Sequence, residues 1–277
     1  MMIVDAQVHM WGENTPDRPW PAGRGKPHRP RALYKQELLA EMDAAGVDRV
    51  VIVPPKWEGD RNDLALDAVQ SHPQRFAIMG RLDPDLPESR GKLATWRQQP
   101  GMLGLRYSLT APEMKPILLE GRLNWLWAEA ERVGMPVYIL VTHSTCHLID
   151  EVAERHPGLK ITMDHLALDS SLRDEVCFRD LDKLLALARR PNVAVKASAL
   201  PTYTIDGYPY RKIDGYIRRV YDAFGPKRMF WGSDLTRLPC TYRQCVTHFT
   251  EELPWLSAED KEWIMGRAVC EWLGWKI

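Results

Sequence analysis

No apolar run in this sequence approaches the roughly 20 residues needed to span a bilayer, so a membrane is not an expected partner. Nor is there an excess of one charge: 37 Lys plus Arg stand against 37 Asp plus Glu, for a formal net charge of +0. That balance removes the electrostatic case for nucleic acid or an anionic surface as the main partner, and it leaves room for a local basic pocket. Cysteines are few, 5 in all, and Cys146, Cys177, Cys240, Cys245 and Cys270 form no CxxC pair. They read as reduced thiols of a cytoplasmic protein rather than a disulfide framework or a zinc knuckle. The opening Met1-Met2-Ile3-Val4-Asp5 enters a strand at once, without a basic-then-apolar signal segment. No glycine-rich phosphate loop follows that strand, which disfavours a dinucleotide-binding fold.

What is present is a pattern repeated eight times: a short run of Val, Ile and Leu, a polar segment, then a stretch of helical period. The strands read as Ile3–Met10, Arg49–Val53, Phe76–Arg81, Leu103–Ser108, Val137–Val141, Ile161–His165, Val193–Ala197 and Met229–Ser233. Helical segments separate them at Tyr34–Ala45, Asp60–Ser71, Glu88–Gln98, Leu123–Val133, Cys146–Arg155, Phe178–Ala188 and Lys212–Phe224, and Tyr242–Glu251 and Ala258–Leu273 follow the last strand. Phrases such as Ala45-Gly46-Val47 and His156-Pro157-Gly158 punctuate the joins, because Gly accepts positive φ and Pro stops a helix. Continuously apolar strands alternating with amphipathic helices call for a parallel sheet covered by helices. The 277 residues suit one such barrel or two smaller domains, and eight units favour the barrel. The expected fold is α/β, a (β/α)8 TIM barrel, single domain over residues 1–277.

Two stretches stand outside the repeat. Residues 13–31, after strand one, are dense in Pro, Gly and Arg, and residues 201–210, after strand seven, hold Tyr203, Tyr208 and Tyr210. Both are βα loops, so both belong to the face where barrels carry their chemistry. Eleven tryptophans are many for this length; Trp11, Trp20, Trp57 and Trp231 fall near strand ends or in loops, where a share of them can wall a pocket. The Trp-rich C-terminal helix leaves a homodimer open.

Polar residues that close an apolar strand point into the mouth of a barrel. Strand one ends Asp5-Ala6-Gln7-Val8-His9, and the spacing places Asp5, Gln7 and His9 on one side. Burying three polar groups requires partners. Strand six ends Asp164-His165-Leu166 and strand eight ends Trp231-Gly232-Ser233-Asp234. A single strand-end histidine is commonly structural, but two imidazoles and a carboxylate converging from three strands point to chemistry. Lys196 on strand seven reads as a buried ion pair with Asp5 or as a group aimed at substrate. His28, His147 and His248 carry no such signal.

These three strand ends resemble the amidohydrolase superfamily, and more closely its amidohydrolase-related branch of lactonases and some aromatic-acid decarboxylases. Gly104-Leu105-Arg106 and Val195-Lys196-Ala197-Ser198 extend the likeness weakly. The resemblance implies a divalent-metal site with a His-x-His pair on strand one, His on strands five and six, and Asp on strand eight. Here His9, His165 and Asp234 match, Gln7 replaces the first His, and Leu140 stands where the strand-five His is expected. His143 comes slightly later and is left open, either as a fourth ligand or as a loop residue that contacts substrate. An amide oxygen is a poorer zinc ligand than an imidazole, so the expected cofactor is none or one divalent metal, Zn or Mn.

The implied reaction is hydrolysis of a lactone or similarly activated cyclic ester of a small organic or aromatic acid. Asp234 would serve as general base for water, with His9 and His165 polarising the carbonyl directly or through a metal. Expected substrate contacts are Gln7, Arg106, Trp57, His143, Tyr203, Tyr208 and Arg237, with a small molecule as the partner. Arg106 reads equally as a carboxylate clamp or a salt bridge to a neighbouring strand. Non-oxidative decarboxylation of an aromatic or unsaturated acid, and an inactive metabolite-binding barrel, are the alternatives.

Overall fold

The computed structural model describes residues 1–110 and 115–276. Eight strands run β1 Val4–Val8, β2 Arg49–Ile52, β3 Phe76–Gly80, β4 Met102–Ser108, β5 Val137–Leu140, β6 Ile161–Met163, β7 Val193–Ser198 and β8 Met229–Gly232. They form one parallel sheet in sequence order. Between its outer strands, the Asp234 N–H donates to Gln7 C=O at 2.9 Å and Asp5 takes the Ser233 N–H at 2.9 Å, which draws β8 onto β1. The architecture is a (β/α)8 TIM barrel, as the repeat implies. Among the described residues no helix is long and apolar enough to cross a membrane.

Side chains alternate across the pleat. Val50, Ile52, Phe76, Ile78, Ile139 and Val195 pack outward in the large core shared with the helices. Their neighbours Val51, Val53, Ala77, Met79, Tyr138 and Phe230 form a second cluster, closed by Trp263, Val269 and Leu273 of the C-terminal helix. That helix comes very near β1: a Cβ on Gly266 would lie 2.7 Å from Met2 O, so only glycine permits the approach.

A β-bulge in β1 changes the polar stripe. Pairing with β2 shifts register between Asp5 and Val8, and one extra residue turns the following side chains to the other face. Asp5 therefore points away from Gln7 and His9. It is wholly buried and accepts from Gln7 N–H (2.9 Å), the Ser233 hydroxyl and Tyr242 OH (2.7 Å). Lys196 consequently does not pair with Asp5; its ammonium meets Asp164 Oδ1 at 2.7 Å.

Candidate active site

Three strand ends deliver the groups expected from the sequence, and two of them leave their strands sharply. His165 and Asp234 have φ of 49° and 51°, and Leu166, Ala167 and Ala199 are also left-handed. Non-glycine residues with positive φ carry strain that the surrounding packing must hold, and such positions gather at functional sites. All three reacting-group candidates are buried.

The hydrogen bonds assign protons. His9 Nδ1 lies 2.6 Å from Val53 O. A carbonyl only accepts, so Nδ1 carries the proton, and Nε2 of the neutral ring is a bare lone pair. That Nε2 stands 3.4 Å from Asp234 Oδ1, an oxygen with no hydrogen-bond partner among the described residues. His165 Nδ1 sits 2.8 Å from Ser198 Oγ, and its Nε2 is 3.6 Å from Asp234 Oδ2.

Burial lowers the pKa of both imidazoles, that of His165 to about 3, so both are neutral at pH 7. Burial alone would raise Asp234. His9 and His165, once protonated at low pH, and the Arg237 guanidinium, 3.3 Å from Oδ2, outweigh it and hold the carboxyl well below the usual range.

A cavity of about 260 Å³ opens on this centre, walled by Trp57, Arg106, Arg237, His28 and Leu140 among others. Arg106 forms the salt bridge of one of its two readings. Its Nε pairs with Asp164 Oδ2 at 3.0 Å, and the side chain still lines the cavity. Trp57 is buried with its ring edge-on to His9, centroids 5.8 Å apart. Tyr203 lines an adjoining cavity that shares Leu140 and Arg237 with the first. Trp231 is a core residue, stacked on Tyr242.

Two expected contacts are not brought to the centre. His143 Nε2 is bound 2.9 Å from Leu166 O, a carbonyl redirected by the left-handed turn after β6, and the ring faces a separate cavity beside Asp180. Tyr208 turns outward: its hydroxyl donates to Thr247 Oγ1 at 2.9 Å, while Arg211 pairs with Glu252 and pins the loop to the helix Tyr242–Thr250.

Some cavity residues escaped the sequence, His28 foremost among them. His28, from the long loop after β1, reaches the cavity rim, its Nδ1 3.0 Å from Thr236 Oγ1 and its ring 4.8 Å from Trp57. Burial and the adjacent His9 lower its pKa to about 3. The loop's length and its place on the catalytic face were the available signals.

Among the described residues no set of three or more His, Cys, Asp and Glu side chains is preassembled as a metal cage. The centre nevertheless has the chemistry for one cation. The His9 lone pair faces the orphaned Asp234 Oδ1, and two electron-rich atoms so opposed call for a proton or metal between them. His9 and His165 each anchor Nδ1 elsewhere and turn Nε2 to the centre, as metal-binding histidines do. With Leu140 from β5 and Gln7 from β1 in the remaining places, the residues suit none or one divalent ion and no pair.

The chain is 27% identical over 266 residues to an L-fucono-1,5-lactonase of Burkholderia ambifaria, covering 92% of this chain and 85% of that one. It is 24% identical over 238 residues to a 4-sulfomuconolactone hydrolase of Hydrogenophaga intermedia, covering 83% and 73%. A crystal structure of a Burkholderia multivorans amidohydrolase with bound zinc superposes with a TM-score of 0.84 at 21% identity, over 99% of each chain. The sequence profile of the amidohydrolase family matches residues 4–268. With that match across the barrel, the chain belongs to the amidohydrolase family and is an amidohydrolase-type hydrolase.

Proposed function

We propose that this enzyme opens a lactone or similarly activated cyclic ester of a small organic acid, with Asp234 as the general base. The observation that carries the reading is Asp234 itself. It is a buried carboxylate, held ionised, that lines a cavity, and its Oδ1 has no hydrogen-bond partner among the described residues. Relatives named for lactone hydrolysis support the substrate class.

Asp234 takes a proton from water as the water oxygen bonds to the ester carbonyl carbon. Collapse of the tetrahedral intermediate breaks the ring C–O bond, and the proton on Asp234 passes to the leaving alkoxide. The resulting hydroxy acid is the product, and Asp234 is ionised again. Arg106 and Arg237, which line the cavity wall with Lys56, stabilise the oxyanion or a substrate carboxylate. Neutral His9 offers only a lone pair at Nε2, so it cannot itself donate to the oxyanion; it acts as a base or as the ligand of a cation. His9, His165 and Asp234 would hold a single divalent ion, which when bound polarises a carbonyl and acidifies water. Decarboxylation expects a β5 histidine, and β5 presents Leu140 to the cavity instead.

A panel of sugar lactones and unsaturated or aromatic lactone acids, assayed by acid release, tests the proposal. The wild type should turn over at least one class, and Asp234→Asn should lower kcat/KM by about 10²–10⁴ while ligand binding persists. Hydrolysis unaffected by Asp234→Asn, or carbon dioxide release from an aromatic acid without lactone turnover, would overturn it.

A further inference from the structure

Lys196 is a fully buried cation. It lies on β7, its ammonium 2.7 Å from Asp164 Oδ1 and 3.8 Å from the centroid of the Tyr138 ring. Its third contact is the side-chain oxygen of Gln7. An ammonium has only donors, so it must face Oε1 of the amide, and that fixes the other half of the group. Gln7 Nε2 is thereby turned toward His9 Nε2, 3.4 Å away. Every proton in the chain is then assigned: Lys196 donates to Gln7 Oε1, Gln7 donates to the His9 lone pair, and His9 Nδ1 donates to Val53 O.

Rotating the amide by half a turn would set its N–H2 against the ammonium and its oxygen against the His9 lone pair, losing both contacts. Gln7 is thus held as a hydrogen-bond donor facing a centre whose other groups are lone pairs. Cations there need oxygen or nitrogen lone pairs, and the oxygen that Gln7 carries is taken.

We propose that Lys196 is a positioning residue that withholds Gln7 Oε1 from the reacting centre, leaving the centre with a weak and exchangeable hold on a divalent cation. The inference rests on His9, His165 and Asp234 being that centre. It adds that the departure at Gln7 is enforced from β7. Removing Lys196 leaves Asp164 paired with Arg106, so the buried charges stay balanced while the amide is free to turn.

The test is the affinity of the full chain for Zn²⁺ alone, by competition with a chromophoric chelator, in wild type, Lys196→Met, Gln7→Ala and the double variant. Lys196→Met should tighten Zn²⁺ binding by about tenfold or more when Gln7 is present, and by clearly less when it is alanine, the difference being the coupling between the two residues. An equal gain in both backgrounds would show that Lys196 acts by charge alone and would overturn the proposal; so would no gain. A second readout needs no Lys196 variant. With Zn²⁺ bound to the wild type, the metal takes the His9 Nε2 lone pair from the Gln7 N–H, so the Gln7 amide protons shift, whereas its side-chain carbonyl ¹³C, assigned by its loss in Gln7→Ala, should keep its apo shift. A shift that marks Oε1 as a zinc ligand would overturn the proposal. Neither readout involves turnover, so failure of the lactone panel and failure of this inference are separable.

Discussion

His9 Nε2 and Asp234 Oδ1 face each other at 3.4 Å, and neither carries a proton of its own. The arrangement holds because His9 spends its single N–H on Val53 O. At pH 7 this predicts the Nδ1–H tautomer for His9 in the free enzyme, readable from ¹⁵N–¹H long-range correlations of the imidazole. An Nε2–H tautomer or an imidazolium would contradict it and would return His9 to the role of oxyanion donor.

Arg237 lies on the opposite side of the same carboxylate. Against the burial that raises it, Asp234 is kept ionised by His9 and His165 once they are protonated at low pH, and by Arg237 throughout. A base must be deprotonated to act, so activity is lost as pH falls through the Asp234 pKa. Replacing Arg237 with Met removes one source of the depression, and the acid limb of the kcat/KM profile should move to higher pH. A limb that stays in place would show that Arg237 does not govern this carboxylate.

Arg106 is held at Nε by Asp164, and its side chain borders the cavity. If the cavity receives a substrate carboxylate, Arg106→Lys should cost anionic lactones about 10–100-fold in KM, the worth of a charged hydrogen bond. Neutral lactones of the same ring size should change far less. Comparing KM across one anionic and one neutral substrate decides the matter, because a general loss of folding would affect both alike.

The strand ends at His9, His165 and Asp234 were legible because each is a polar residue closing an apolar run, a pattern that local sequence carries in full. The partner of Lys196 was not. Period-two spacing put Asp5 beside Gln7 and His9, but the bulge in β1 reverses that phase, and nothing in Asp5-Ala6-Gln7-Val8 announces it. His28 was missed for a different reason. Its loop is carried across the mouth by distant contacts, the Trp11–Leu33 bridge and the Arg29–Glu41 pair, which local reading does not contain. His143 and Tyr208 failed as contacts for the same kind of cause, each captured by a partner from another segment.

Asp5 gives the bulge a thermodynamic signature. Burial raises its pKa from 3.8 to about 6, against the lowering effect of the bonds from Ser233, Tyr242 and Gln7. The folded state therefore holds this proton more tightly than the unfolded chain does. The resulting contribution favours folding at low pH and is lost as pH rises through about 6. It amounts to on the order of 3 kcal/mol across that window. Other groups impose their own slopes, and His9 and His165, both lowered, act in the opposite sense. Urea unfolding of wild type and Asp5→Asn at several pH values from 4 to 7 cancels those shared slopes. The stability difference should shift toward the wild type as pH falls, since asparagine cannot titrate. A difference that is constant over the range would mean that Asp5 stays ionised in the folded protein, its four donors outweighing its burial.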